Sequence, residues 1–433
     1  MRNILLGVTL CLAPMALSVS AANAQTAVVR VMTTETNPDT KSALDAIAAE
    51  YQTKNPNVKI ELQYVGFQDL NQKLMSSLAA GDPPQIFNVQ SSYELFELAK
   101  KGIVRPVDDV IDRIGRSDYY ERILGSNTLD GKVWAVPFSI GVNVLWYRKD
   151  LYDKYNLKEA ATWDEYAHNV EVLSKAGAEK ADARFYGTAL SVGDNWLTND
   201  NTQNWMWSNG ATVFDAKGNP TLNKPAAVAT FAYLGKLASF APPGVNSYTN
   251  NEMMNAFATG AVAHTEYPFR LLSYLEKSAP ELLKVAVPMQ HPKGPGEEGH
   301  RATLLYVKSW AMAKSAKFTK EAADFLAFLE DAKRKATVMK TVPVHYWPPR
   351  KSIVSDPAFL DQPLLKTEAG KRSLQVLNSA METGQFPISE TGTPVMKLGP
   401  ALQKRVLAKA LEQIVVRKVD PAKAVEAAAQ TLK

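Results

Sequence analysis

The chain has 433 residues, 46% of them hydrophobic and 21% charged, with 49 Lys and Arg against 44 Asp and Glu. This composition lies far from the disordered regime and suffices for two or three domains or one large two-lobed unit. Acidic and basic residues interleave, and no basic block is dense enough for phosphate-backbone binding, which argues against nucleic acid and against a membrane-lying helix.

Met1-Arg2-Asn3 is followed by an apolar stretch from Ile4 to Leu17 and by Ala22-Asn23-Ala24. A positive start, an apolar segment too short to span a bilayer comfortably, and small residues at the cut predict a secretory signal peptide over 1–24. The mature protein is therefore expected outside the cytoplasm, in the periplasm. Cys11, the single cysteine, lies in the segment removed, so no disulfide, thiolate metal site or cysteine nucleophile is expected. Leu10 before it is a poor fit to a lipid anchor. No later apolar run approaches the roughly 20 residues of a membrane span.

Strand and helix signals then alternate. Ala27 to Met32 reads as a buried strand, and Leu44, Ile47, Ala48 and Tyr51 recur at helical spacing until Asn55-Pro56 stops the helix. Val58, Ile60, Leu62 and Tyr64 share a strand face; Leu70, Leu74 and Leu78 stripe a helix ended by Gly81. Gln85 to Val89 predicts a third strand, and Tyr93 to Lys101 a third helix ended by Gly102. Helices of this length between strands imply right-handed crossovers and a parallel α/β sheet.

Further on, Thr162-Trp163-Asp164-Glu165 spells a capping box, with Gly177 as the C-cap of its helix. From Gly187 to Asn223 the pattern breaks into polar loops carrying Trp196, Trp205 and Trp207. Met253, Met254 and Phe257 predict a short helix ended by Gly260, and Thr319 is placed to cap a helix with Ala322, Phe325, Leu326 and Leu329. Pro400 to Lys418 reads as helical, and Asp420-Pro421 starts another helix. No internal repeat or low-complexity linker is present, so lobes joined by several short crossings are expected.

Several segments resemble the extracellular solute-binding proteins of ABC importers, in the sugar-binding group that includes maltose-binding protein. They are Asn55-Pro56-Asn57-Val58-Lys59-Ile60, Ala79-Ala80-Gly81-Asp82-Pro83-Pro84-Gln85-Ile86, Gly131-Lys132-Val133-Trp134-Ala135-Val136-Pro137, Leu145-Trp146-Tyr147-Arg148-Lys149-Asp150-Leu151, Thr162-Trp163-Asp164-Glu165, Phe257-Ala258-Thr259-Gly260-Ala261-Val262-Ala263 and Trp310-Ala311-Met312-Ala313-Lys314. Each is common alone; their order and spacing cover most of the mature chain.

The resemblance implies an α/β, two-lobed periplasmic-binding-protein fold (type II) with three hinge crossings. The implied N-terminal lobe is 25–139 and 288–310, and the C-terminal lobe 143–285 and 314–433. Crossings would fall near Ser139-Ile140-Gly141, Val287-Pro288 and Trp310-Ala311. The implied function is capture of a mono- or short oligosaccharide or glycoside in the inter-lobe cleft by hinge closure and delivery to the membrane permease. A monomer, with no cofactor, no metal and no enzyme activity, is expected.

Sugar hydroxyls need planar hydrogen-bonding groups, and pyranose C–H faces need aromatic rings. The candidates are Glu35 in the loop after the first strand, Gln90 and Ser92 after the third, and Ser139 at the hinge. Ser92 is also placed to cap its helix. In the second lobe they are Asp194, Asn195 and Trp196, where Trp196 is the favoured ring because its neighbours are polar. Glu266 and Tyr267 stand where the family has a sugar-stacking turn, Trp310 at a crossing, and Tyr346 and Arg350 in an aromatic, cationic loop. Of Trp205 and Trp207, at most one is expected to line the cleft, the other packing in the core.

A secreted glycoside hydrolase is the rival reading, with Glu35 and Glu266 as its conceivable acid pair. An anionic sugar derivative or glycerol phosphate is the rival ligand, with Arg270 or Arg350 as its clamp. No HExxH, G-x-S-x-G or P-loop pattern occurs.

Overall fold

The computed structural model describes residues 26–180, 184–392 and 394–432, so the expected signal peptide lies outside the described residues. Nine strands are found among them: β1 Ala27–Thr33, β2 Val58–Tyr64, β3 Ile86–Val89, β4 Thr128–Leu129, β5 Lys132–Val133, β6 Ala135–Arg148, β7 His264–Pro268, β8 Ala286–Met289 and β9 Leu304–Met312. Seven form one sheet in the order β2-β1-β3-β9-β6-β7, with β8 also on β6. The first three strands are parallel, as their helical crossovers demand. The other pairings in this sheet are antiparallel, which corrects the expectation of a purely parallel sheet.

Two long strands make the two lobes. The first end of β6 pairs with the last residues of β9, beside β3, while its far end pairs with β7 and β8. Every β6 residue from Ala135 to Tyr147 is buried, because the strand runs through the core of both halves. The register slips between Pro137 and Ser139, which places a bulge where the chain passes between lobes. A third link passes near Trp347, whose backbone pairs with Ile140.

The first lobe carries α1 (Pro38–Lys54), α2 (Leu70–Ala79), α3 (Ser92–Lys100) and α4 (Asp108–Ile114). The helices Thr319–Leu329 and Ala332–Met339 pack on α1, α4 and β1. The stretch after β9 therefore belongs with the first lobe, and only the later helices return to the second. Residues Val287-Pro288 stay in the second lobe, since β8 lies against the far end of β6. The return crossing is β9 itself, and Trp310-Ala311 is its first-lobe end. Short loops made the chain order readable, but lobe membership is set by which sheet end a strand pairs with.

The capping box at Thr162 and Glu165 forms, and Asn37 and Asp420 cap their helices. Gly177 lies inside the helix Trp163–Ala178 rather than after it. A Cβ there would sit 2.0 Å from the Phe185 carbonyl, so the glycine serves close packing. Thr319 is the first helical residue and makes no cap; Phe318 precedes it at φ 56. The predicted helix over 400–418 divides into Leu398–Gln403 and Val406–Val415, split by Arg405 at φ 53.

The largest departure is the helix Trp196–Ser208, where polar loops were expected. From Thr198 onward all its residues but Asp200 are buried, polar and apolar alike, so no apolar stripe exists to reveal it. No helix among the described residues is long and apolar enough to cross a membrane.

Candidate functional site

On the first-lobe side, the loop after β1 is held by Asn88, whose Oδ1 accepts from the Thr33 hydroxyl at 2.7 Å and the Thr34 N–H at 3.0 Å. This turns Glu35 inward, where it is 1% exposed. Lys308 on β9 donates to Glu35 Oε1 at 2.6 Å, and the Tyr346 hydroxyl donates to Oε2. One carboxylate thus ties the β1 loop to two of the three crossings. Gln90 Nε2 donates to Thr34 Oγ1 at 3.1 Å. Ser91, rather than Ser92, caps α3 by accepting from the Glu94 N–H. Glu94 closes the exchange on the Gln90 N–H, and burial raises its pKa to about 7.

On the second-lobe side, Asn195 caps the Trp196–Ser208 helix through the Thr198 N–H and donates to the Tyr248 carbonyl. The Trp196 ring lies nearly parallel to Tyr93 of α3, with centroids 6.2 Å apart, and so meets the opposite lobe. One turn on, the Asp200 carboxylate makes no hydrogen bond or ion pair among the described residues. Burial, reinforced by the charge of Glu266, lifts its pKa to about 7. Asn201 accepts from Asn143 of β6 at 3.2 Å. The buried side-chain amide of Asn199 and the Thr265 hydroxyl are unpartnered.

Tyr306 on β9 lies across β6, where Gly141 is its register partner. A Cβ at Gly141 would fall 1.9 Å from the Tyr306 ring, so only glycine admits this pose. The phenol lies within the electrostatic reach of Tyr267, Arg270, Asp200 and Glu35, and burial raises its pKa. Arg270, half-buried, has no hydrogen bond or ion pair among the described residues. Tyr306 thus has an unpaired carboxylate, Asp200, and an unpaired guanidinium, Arg270, within its electrostatic reach.

Residues 36–336 match the profile of the family described as bacterial extracellular solute-binding protein. The chain belongs to that family. An Escherichia coli protein provisionally named an ABC transporter periplasmic-binding protein is 24% identical over 343 residues, covering 78% of this chain and 76% of that one. A lactose-binding protein of Rhizobium radiobacter is 27% identical over 302 residues, 67% of this chain and 68% of its own length. The maltose-bound T. maritima MalE3 structure superposes with a TM-score of 0.78 at 20% identity, covering 94% of this chain and 99% of that one. These likenesses agree with the two-lobed α/β fold seen here.

In this solute-binding protein the expected site residues part company. Trp196 stacks on Tyr93 of α3, and Gln90 donates to Thr34. Glu35 accepts from both Tyr346 and Lys308. Ser139 is buried on β6 opposite Lys308, and Ser92 is buried in the first turn of α3. Asp194 is engaged by Arg405 at 2.6 Å, and Asn195 is spent as the cap.

Glu266 and Tyr267 lie on the buried strand β7, not a turn. Glu266 accepts from Trp205 Nε1 at 2.8 Å, and His291 Nε2 stands 2.8 Å from its other oxygen without hydrogen-bond alignment. Burial lifts the Tyr267 phenol to about 12. Trp310 is fully buried against Phe138 and donates to Glu330, so it is core. Arg350 donates to Asp118 at 2.7 Å and to the Glu330 carbonyl at 2.6 Å, which removes it as a clamp. Trp205 and Trp207 are both core, bonded to Glu266 and Glu390.

Sequence reasoning missed Asp200 and Tyr306 as site groups. Asp200 lay in what read as a loop, and Tyr306 fell in no motif the sequence offered. The companion of Tyr306, Gly141, was the available signal.

Proposed function

We propose that this chain is the solute-binding component of an ABC importer, capturing a carbohydrate between its lobes in the periplasm and presenting the closed form to the membrane permease. The observation that carries the reading is the set of uncommitted polar and aromatic groups on the second lobe, Trp196, Asp200, Arg270 and Tyr306, brought against Tyr93 and the Glu35–Lys308 pair of the first. Trp196 and Tyr306 offer faces for pyranose C–H groups. Asp200, Asn199 and Gln90 offer planar partners for hydroxyls. Relatives support the ligand class: one is named for lactose, one structure holds maltose, and an Arthrobacter chlorophenolicus sugar transporter of TM-score 0.79 and 18% identity holds laminaribiose.

Closure follows from contacts made to both lobes at once. A ligand binding the second lobe alone would leave the hinge equilibrium unchanged; one that also meets Tyr93 or Lys308 shifts it. The hinge strands β6 and β9 are continuous across the sheet, so bending is absorbed near the Pro137–Ser139 bulge. The hydrolase reading loses support because both of its carboxylates are engaged, Glu35 by Lys308 and Tyr346, Glu266 by Trp205.

A thermal-shift screen of mono-, di- and trisaccharides tests the proposal. A sugar at 100 times its dissociation constant stabilises by about 2.7 kcal/mol. Mass spectrometry of the same mixtures should return the sugar intact. Turnover, or no shift with any carbohydrate, would reject the reading.

A further inference from the structure

We infer that the captured solute carries an anionic substituent, a carboxylate, phosphate or sulfonate on a sugar or polyol, and that Arg270 is the residue that reads it. The inference rests on the carbohydrate reading above and narrows it. Other partly buried arginines are matched. Arg30 pairs with Asp82, Arg350 with Asp118, Arg372 with Glu159 and Arg405 with Asp194. Arg122 instead donates to three main-chain carbonyls. Arg270 has none of these among the described residues: its half-buried guanidinium, within electrostatic reach of Tyr306 and Tyr346, keeps five donors and a full charge uncommitted.

The neighbouring groups feel this charge. Arg270 acts electrostatically on Tyr267, Tyr306, Tyr346 and His345, and Lys308 acts on His345 as well. Lys308 is balanced by Glu35. The open carboxylate Asp200 forms no ion pair with Arg270 among the described residues, so it does not neutralise it. His345 Nδ1 is buried without a partner. Arg270 also opens the helix Arg270–Ser278, whose first turn has no side-chain cap and no acidic residue, so its dipole adds to the positive potential.

A half-buried cation with no counter-charge costs folding free energy, which an anionic ligand would return. Guanidinium geometry suits two-oxygen recognition of a carboxylate, phosphate or sulfonate, and the neighbouring phenols can donate to further oxygens. A neutral hydroxyl would accept a hydrogen bond but leave the charge unmatched.

The test is calorimetric titration of the full mature protein with matched pairs: D-glucuronate against D-glucose, glucose 6-phosphate against glucose, and glycerol 3-phosphate against glycerol. At least one charged member should bind tenfold or more tightly than its neutral partner, with affinity falling as salt rises. In Arg270→Gln that ratio should collapse to within about twofold, and Arg270→Lys should retain an intermediate ratio. The pair with the largest ratio distinguishes a carboxylate from a phosphate. Equal binding of neutral and charged members would overturn the inference while leaving the carbohydrate reading in place. A preference that survives Arg270→Gln would overturn the role of Arg270. Failure of every sugar and polyol, charged or neutral, would overturn both. Circular dichroism melting of Arg270→Gln, which relieves an unpaired charge, should give a midpoint at or above the parent's and shows that the comparison is made on folded protein.

Discussion

The two lobes differ in how their charged groups are paired. In the first lobe each buried charge has a partner: Glu35 with Lys308 and Tyr346, Glu330 with Lys335 at 2.6 Å, Arg350 with Asp118. In the second, Asp200 and Arg270 have no hydrogen-bond or ion-pair partner among the described residues, and the fully buried Asn199 amide is unpartnered as well. A wall whose hydrogen bonds are already made is rigid, and a wall with unmade bonds gains when a ligand arrives. On the proposed reading, the first lobe works as an anvil and the second supplies the selecting contacts.

The contrast can be broken most severely at the buried pair of the first lobe. Lys335 is 1% exposed, sits over the Phe138 ring, and is lowered to about 8 by burial. Glu330→Ala strands that charge and removes the acceptor of Trp310, and should cost about 3–5 kcal/mol in urea unfolding. Glu330→Leu combined with Lys335→Met should recover most of it. If the single change cost under about 1 kcal/mol, the pairing would not be what steadies this lobe.

Gly141→Ala forces the Tyr306 ring off β6. A loss of about 1–3 kcal/mol by the same assay is expected, together with weakened sugar binding. An unchanged protein would mean the ring moves freely and does not shape the cleft.

Trp196→Ala removes the ring facing Tyr93 while leaving the helix cap at Asn195 in place. Sugar affinity should fall at least tenfold, about 1.4 kcal/mol, in titration calorimetry, with little change in melting temperature. Unchanged affinity would exclude Trp196 from the ligand contacts.

Asp200 offers a pH test of the open wall. Its folded pKa of about 7 exceeds the ordinary 3.8, so ionisation costs stability as pH climbs between those values. Asp200→Asn removes that cost. Melting curves should coincide near pH 4, with the variant gaining on the parent up to about pH 7 and the gap constant above about pH 8. A gap independent of pH would show that Asp200 titrates normally.

The smallest effect is expected at Asp194. Its pair with Arg405 is partly exposed, so Asp194→Ala should cost less than about 1 kcal/mol and move sugar affinity less than twofold. A large affinity loss would return Asp194 to the cleft.

Much of the framework was legible from local rules. Leu44, Ile47, Ala48 and Tyr51 marked α1, Gly81 and Gly102 closed their helices at positive φ, and Thr162 with Glu165 formed their box. The site was less so. Trp196 could be singled out because its neighbours are polar, but the same polarity hid the helix it begins. Trp310, Asp194 and Arg350 were plausible by residue type and position along the chain. What removed them was a partner 20, 211 and 232 residues away, which no window of sequence contains.

By itself the sequence determined the alternation of elements, the order of motifs and the family, because periodicity, caps and turn residues act over a few positions. Tertiary structure alone decided which strands bridge the lobes and which polar groups remain open. Those outcomes depend on who meets whom across the sheet. A carboxylate beside a lysine and one beside nothing look alike in the chain and differ only once it is folded.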